Sequence, residues 1–276
     1  MTKGGGWMAE QSVRPADVEQ AGVWLARHGL VDVRPTPLLA TRLAVRRGAR
    51  LAAQVLLAVF IIAVALVYTT DRRGGSVDGS GSYRESSLPV LTAVVVGLVL
   101  AQSLLDWWVR RVDRRAGATL PRRAAHPVRL GWRTVLGRPR AAFAVATFAG
   151  ALVPAVVALT VRDSTARYAG LVLLIGLCGV AVGTAVQLRH ILTHPVVADD
   201  EVSLTADVIM RVEDAREVAT PTVVWLLPIV SVFDTALGWW STAWLVFVAL
   251  STVTLALITK RTAQSGTVAR HVTSAR

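Results

Sequence analysis

The 276-residue sequence is poor in cysteine and lysine, and it lacks the motifs of common enzymes. Its one cysteine, Cys178, cannot form an intrachain disulfide, and a thiol in its apolar segment is poorly ionised and unreactive. No phosphate-cradling loop, zinc-protease helix, kinase motif set or serine triad is present. An NTPase is therefore excluded, no catalytic residue is recognised, and we expect no cofactor.

Charge is rare in five long stretches of the chain, which are residues 51–69, 88–109, 141–160, 169–188 and 221–258. Each of the first four has about the 20 residues that a helix needs to cross ~30 Å of hydrocarbon. Together with 53% hydrophobic residues, this pattern excludes a soluble helical protein and predicts an all-α, polytopic transmembrane helix bundle. The net charge of +12 is then a cytoplasmic charge bias and not a surface for nucleic acid.

The stretch 221–258 would be roughly 57 Å long as one helix, nearly twice the hydrocarbon thickness. We therefore divide it at Asp234–Trp240 into spans 222–238 and 241–259, which makes about six spans. Trp239, Trp240 and Trp244 would then lie in an interfacial aromatic belt. A single tilted span with a protruding end is the alternative.

The distribution of basic residues predicts the orientation. Lys and Arg number 8 up to Arg50, 10 in 110–140, 3 in 189–220 and 4 from residue 260, against 3 in 70–87 and 2 in 161–168. The positive-inside rule places the first group in the cytoplasm, with both termini inside, so a multi-pass protein of a bacterial plasma membrane is expected.

The predicted organisation has five parts. These are a cytoplasmic region 1–50 with a basic juxtamembrane segment, spans one to four at 51–188 with an Arg-rich cytoplasmic loop at 110–140, an acidic amphipathic segment at 189–220, spans five and six at 221–259, and a cytoplasmic tail at 260–276. Within the first part, Pro15 to His28 is typical of a short helix that Gly29 ends.

Segment 189–220 carries 7 acids against 3 Arg, opposite in sign to loop 110–140. Helical spacing of its apolar residues predicts one apolar stripe, and Asp207 and Arg211 form an attractive i,i+4 pair. We expect this helix to dock on the cytoplasmic face, on the Arg-rich loop, because that surface is tethered nearby; docking of a partner protein is the alternative. The candidate docking residues are Asp199, Asp200, Glu201, Asp207 and Asp214.

The run THPVVADDEVSLTAD at 193–207, followed by RVEDAR at 211–216, resembles a segment of uncharacterised actinobacterial polytopic membrane proteins. Those proteins carry an Ala/Asp-rich cytoplasmic stretch between their spans. The resemblance implies the architecture of this chain and no chemistry, because that family has no established activity.

Two further sets of residues are candidate sites. His190 and His194 share a helix face and could supply two metal ligands, but Ile191 stands where a zinc-protease helix has Glu, which favours two interfacial histidines. Gly176, Gly179 and Gly183 give span four a small face for close helix packing, against this chain or a second copy in a homo-oligomer.

Three function classes follow, all with membrane lipid as surroundings. The first is the membrane subunit of a transport or export assembly, with a separate ATPase docked on the cytoplasmic loops. The second is a non-transporting scaffold or regulator that recruits a cytoplasmic partner through 199–219. The third, least favoured, is an intramembrane enzyme that uses His190 and His194. No span carries a charge at its middle, which disfavours an autonomous ion-coupled transporter.

Overall fold

A computed structural model of the chain describes residues 14–74, 82–118, 125–126, 131–162, 164–193, 196–197, 201–220, 222–228, 238–262 and 265–267. The helices are α1 (Pro15–Arg27), α2 (Pro37–Gly74), α3 (Ser82–Ala118), α4 (Trp132–Val135), α5 (Gly137–Thr160), α6 (Ser164–Thr193), α7 (Glu201–Val218), α8 (Thr222–Leu226) and α9 (Gly238–Arg261). Two short strands, β1 (Ala125–His126) and β2 (Val196–Val197), pair antiparallel.

Within these ranges, five helices are long and apolar enough to cross a membrane, namely α2, α3, α5, α6 and α9. At most 28% of the most apolar window of each is buried inside the protein. Large apolar side chains therefore face outward, such as Val145 at 70% exposed and Leu245 at 67%. A surface of this kind is stable in hydrocarbon and not in water, so the predicted all-α polytopic bundle is confirmed.

The bundle core joins α2, α3, α5, α6, α8 and α9. Its buried side chains include Phe60, Val64, Leu91, Val95, Ala155, Leu173, Leu177, Val224, Leu227 and Trp244. Trp244 is predicted to lie in an interfacial aromatic belt, but it is only 6% exposed and packs against Phe247, with ring centroids 5.0 Å apart. Gly150 of α5 leaves room for Phe247, because a methyl group there would lie 2.5 Å from the Phe247 ring.

Glycines allow α6 to approach its neighbours closely. A methyl group at Gly170 would lie 2.9 Å from the Ala155 carbonyl oxygen of α5, and one at Gly179 would lie 2.7 Å from Val99 of α3. A methyl group at Gly176 would lie 3.0 Å from Val95 and 3.0 Å from Leu227. A methyl group at Gly183 would meet no atom within 4 Å in the described ranges, so this part of the predicted small face has no helix against it there.

Helix α2 continues far beyond the apolar stretch that predicted it. It has 38 residues and is roughly 57 Å long, so its basic first turns extend the spanning helix without a break. Pro37 fits the first helical position, and the hydroxyl of Thr36 accepts a hydrogen bond from the Leu39 N–H at 3.3 Å as an N-cap. The segment 38–50 is therefore a helical extension of the first span.

The short helix predicted from Pro15 to His28 is confirmed as α1, and it ends at Gly29 as predicted. Gly29 has a left-handed φ of 76°, and the Leu30 N–H bonds the Leu25 carbonyl at 3.0 Å, which is a Schellman motif.

At the other end of the chain, α8 ends at Leu226 and a turn follows at Leu227–Pro228, so 221–258 is not one uninterrupted helix. Asp234, where the stretch was predicted to divide, lies outside the described residues.

Candidate functional site: the junction between α7 and α2

Helix α7 is enclosed outside the membrane-spanning bundle. All seven residues from Leu204 to Met210 are buried. The prediction of a single apolar stripe was too narrow, because α7 has a second apolar stripe, Ala206 and Met210, that packs against Leu25 of α1 and Leu39 of α2. The predicted stripe is Leu204, Val208, Val212 and Ala215. Its last three residues belong, together with Ile209, to a cluster that includes Val135 and Leu136.

Three ion pairs join α7 to the extension of α2, and we name them the α2–α7 ladder. Arg42, Arg46 and Arg50 are four residues apart, so they share one face of α2. Their partners are Asp207, Asp214 and Glu217 on α7, with N–O distances of 2.7, 2.9 and 2.6 Å. The ladder becomes more exposed towards the membrane: the two side chains of each pair are 15% and 3% exposed in the first, 9% and 23% in the second, and 45% and 50% in the third.

Asp207 occupies the most buried position of the ladder. Its Oδ1 accepts from Arg42 Nη2, and its Oδ2 accepts from Arg211 Nε, both at 2.7 Å. Burial by itself raises the pKa of the Asp207 carboxyl, but the guanidinium groups of Arg42 and Arg211 outweigh it and hold that pKa below its usual value. Asp207 is therefore a buried carboxylate that binds two cations. The predicted Asp207–Arg211 pair is one of these two ion pairs, and the pair with Arg42 is the other.

Glu213 joins α7 to α1. Its Oε2 accepts from Trp24 Nε1 at 3.3 Å, and its Oε1 lies 2.9 Å from His28 Nε2. The other ring nitrogen of His28 lies 2.8 Å from the Trp24 carbonyl oxygen.

The partners of the acidic side chains of α7 in the described ranges lie on α1, α2 and α7 itself, while residues 119–124 and 127–130 of the Arg-rich loop lie outside those ranges. That loop meets segment 189–220 through apolar contacts of Val135 and Leu136 and through the pairing of β1 with β2. The sequence contained a signal for the ladder, since Arg42, Arg46 and Arg50 recur at helical spacing. It was missed because these residues also fit an orientation signal, and because nothing in the sequence shows that their helix continues into the first span.

The other predicted residues are placed as follows. Asp214 pairs with Arg46, and Glu201 begins α7. Asp199, Asp200 and His194 lie outside the described residues, while His190 is half-buried in the last turn of α6. Among the residues that the structure describes, no three His, Cys, Asp or Glu side chains are grouped in a way that could hold a metal ion.

Comparison of the chain with protein-family models, curated proteins and solved structures gives no match. The resemblance of segment 193–216 to actinobacterial membrane proteins therefore stays a prediction. Function is inferred below from the geometry of the bundle and of the junction between α7 and α2.

Proposed function

We propose that the chain is the membrane subunit of a transport or export assembly, in which a cytoplasmic partner displaces α7 and the α2–α7 ladder carries that displacement into the membrane. The observation that carries the proposal is the buried junction of Asp207 with Arg42, at one end of a helix that continues unbroken into a span. A continuous helix moves as one body, so a force on α7 reaches the lipid-embedded part of α2. A separate partner supplies the energy, because the chain has no NTPase motif.

The proposed topology has six spans with both termini in the cytoplasm. It is supported by the end of α9, where Arg140 at the start of α5 donates to the hydroxyls of Thr259 and Thr262 at 3.4 and 3.2 Å. It is also supported by Gly266, where a methyl group would lie 3.2 Å from the His28 carbonyl oxygen of α1. Residues near His28 and near Gly266 therefore lie close together, which supports an even number of crossings between them.

The crossing that the five long helices do not include is span five, which we propose for residues 222–238. Leu227 supports it, because this side chain is fully buried in the bundle core and packs at Gly176, near the middle of α6. The excess of basic residues makes the end of the bundle near His28 and Gly266 cytoplasmic, in a bacterial plasma membrane.

The alternative is a non-transporting scaffold or regulator, and exposed apolar side chains around α1 favour it. Val23 is 52% exposed and Val31 is 74% exposed, on a part of the chain outside the spans. A partner could dock there. Asp207 and Asp214 are already engaged with α2, so a partner that docks through acids would need others in 199–219.

The test is purification from the native host in a mild detergent, with identification of every co-purifying protein and an assay of ATP hydrolysis. We expect a stoichiometric ATPase whose hydrolysis rate responds to the wild-type subunit. Arg46→Glu should abolish that response, and Arg46→Glu combined with Asp214→Arg should restore part of it. A stoichiometric partner without ATPase activity would replace the transport proposal by the scaffold, and purification of the chain alone would overturn both.

A further inference from the structure

Two buried N–H groups near the start of α5 have no acceptor among the described residues, namely Arg140 Nε and Trp225 Nε1. Buried donors in proteins are nearly always hydrogen-bonded, so each such group calls for an explanation. Each group is a hydrogen-bond donor, so each requires an acceptor.

These two donors lie in the same part of the fold. Trp225 packs edge-on against Phe143, with ring centroids 6.5 Å apart, and Phe143 is one helical turn beyond Arg140. The Arg140 side chain is held in place by its Nη2, which donates to Thr259 and Thr262 at the end of α9. We name the region between Arg140, Arg216 and Trp225 the α5–α9 corner.

The charge of this corner is strongly positive. Burial lowers the pKa of the Arg216 guanidinium, and the nearby charge of Arg140 lowers it further, while Glu213 acts in the opposite direction. Two guanidinium groups close enough to repel each other are stabilised by a shared anion. Four more cations, all exposed, belong to the same helix ends: Arg133, Arg138, Lys260 and Arg261.

The position of the α5–α9 corner along the spanning helices favours a lipid over a soluble anion. Arg140 stands in the first turn of one membrane-spanning helix and Thr259 in the last turn of another, which is the level of the lipid headgroups. Both helices expose large apolar side chains along their spans, such as Val145 at 70% and Leu257 at 52%. A molecule with a phosphate group at this level could bind the basic corner, and its acyl chains would contact the exposed apolar side chains of α5 and α9.

We propose that the α5–α9 corner binds the phosphate group of an anionic phospholipid. Phosphate oxygens accept several hydrogen bonds at once, and a guanidinium group donates to them in a fixed planar geometry. Basic pockets between spanning helices at the cytoplasmic side are a recurrent form of lipid headgroup site. This site does not depend on the proposed transport function.

The proposal is tested by native mass spectrometry of the detergent-purified protein, titrated with phosphatidylglycerol, with phosphatidylcholine, or with inorganic phosphate. We expect tight binding of phosphatidylglycerol and weak binding of the other two. Arg140→Gln should weaken binding of phosphatidylglycerol about ten-fold or more, because it removes a charge-assisted donor. Trp225→Phe keeps the packing against Phe143 and removes only the N–H, so a few-fold loss is expected.

Arg138→Gln is the matched control, since it removes the same charge from the same helical turn at an exposed side chain. Equal losses in Arg138→Gln and Arg140→Gln would show diffuse attraction only and overturn the site. Displacement of the lipid by millimolar inorganic phosphate would overturn the assignment to a lipid headgroup. If Arg140→Gln does not fold, Trp225→Phe decides the matter: unchanged affinity in that variant overturns the site.

Discussion

Replacement of Asp207 by alanine tests the most buried contact between α7 and α2. Asp207 is 2% exposed, and both of its carboxylate oxygens bind guanidinium groups at 2.7 Å. In Asp207→Ala, the side chains of Arg42 and Arg211, which are 15% and 12% exposed, would lose the carboxylate that they share. We expect α7 to separate from α2 far more often than in the wild type.

The size of the effect follows from burial. Removal of one partner from a buried ion pair costs about 3–5 kcal/mol, because a charge is left uncompensated in a poorly solvated site. Loss of an exposed ion pair costs about 0–1 kcal/mol. Glu217→Ala is therefore the matched control: Glu217 belongs to the same ladder and has a shorter contact, 2.6 Å, but its side chain is 50% exposed.

Hydrogen exchange of α7 amides, measured by mass spectrometry on protein in lipid nanodiscs, reports the local opening of this helix. At ~1.4 kcal/mol for each factor of ten, Asp207→Ala should lower the protection of α7 roughly a hundred- to several-thousand-fold. Glu217→Ala should lower it less than about five-fold. Protection in α9 should be unchanged in both variants.

A similar loss of protection in Asp207→Ala and Glu217→Ala would refute the reasoning, because it would mean that burial does not decide the strength of the ladder. Unchanged protection in both variants would show that the apolar contacts alone hold α7. The second outcome would also remove the observation that carries the proposed coupling of α7 to the first span.

Three further predictions follow from the same structure. Because the pKa of Asp207 is lowered in the folded protein, the stability that its carboxylate gives to the packing of α7 is fully present above about pH 4 and is lost as pH falls through the lowered pKa. The difference in α7 protection between wild type and Asp207→Asn should therefore be constant from pH 7 to 5 and shrink only below about pH 4. A double-mutant cycle of Arg46→Ala and Asp214→Ala, read by α7 exchange, should give a coupling free energy of about 1–3 kcal/mol, and additive effects would contradict the pair. Gly170→Ala should destabilise the bundle by about 1–3 kcal/mol in thermal unfolding in detergent, because its methyl group would lie 2.9 Å from a backbone oxygen of α5, whereas Gly183→Ala should be neutral or slightly stabilising.

Local features of the sequence predicted the helices well. Uncharged apolar stretches of spanning length predicted the positions of α2, α3, α5, α6 and α9. Hydrocarbon forms no hydrogen bonds with backbone N–H and C=O groups, and a helix pairs these groups with each other within one segment. Pro15 and Gly29 predicted the two ends of α1, because their conformational preferences act within a single turn.

The partners of the charged residues could not be predicted in the same way. The acidic character of α7 was recognised, but its cations were expected in the loop 110–140, which is nearer in the sequence than α2. The pair Arg46–Asp214 joins residues 168 positions apart. Such a contact depends on which helix faces which, and composition does not contain that information.

The sequence by itself determined which helices of this protein are long and apolar enough to cross a membrane, and its loop charges predict the orientation of the bundle. Both properties are sums over neighbouring residues, such as apolar length and loop charge. Only the tertiary structure decided that α7 is buried between α1, α2 and α4, that Asp207 is shared by two arginines, and that Trp244 points into the core. Those features arise where surfaces from distant segments come together, and the energy of each depends on how completely its neighbours exclude water.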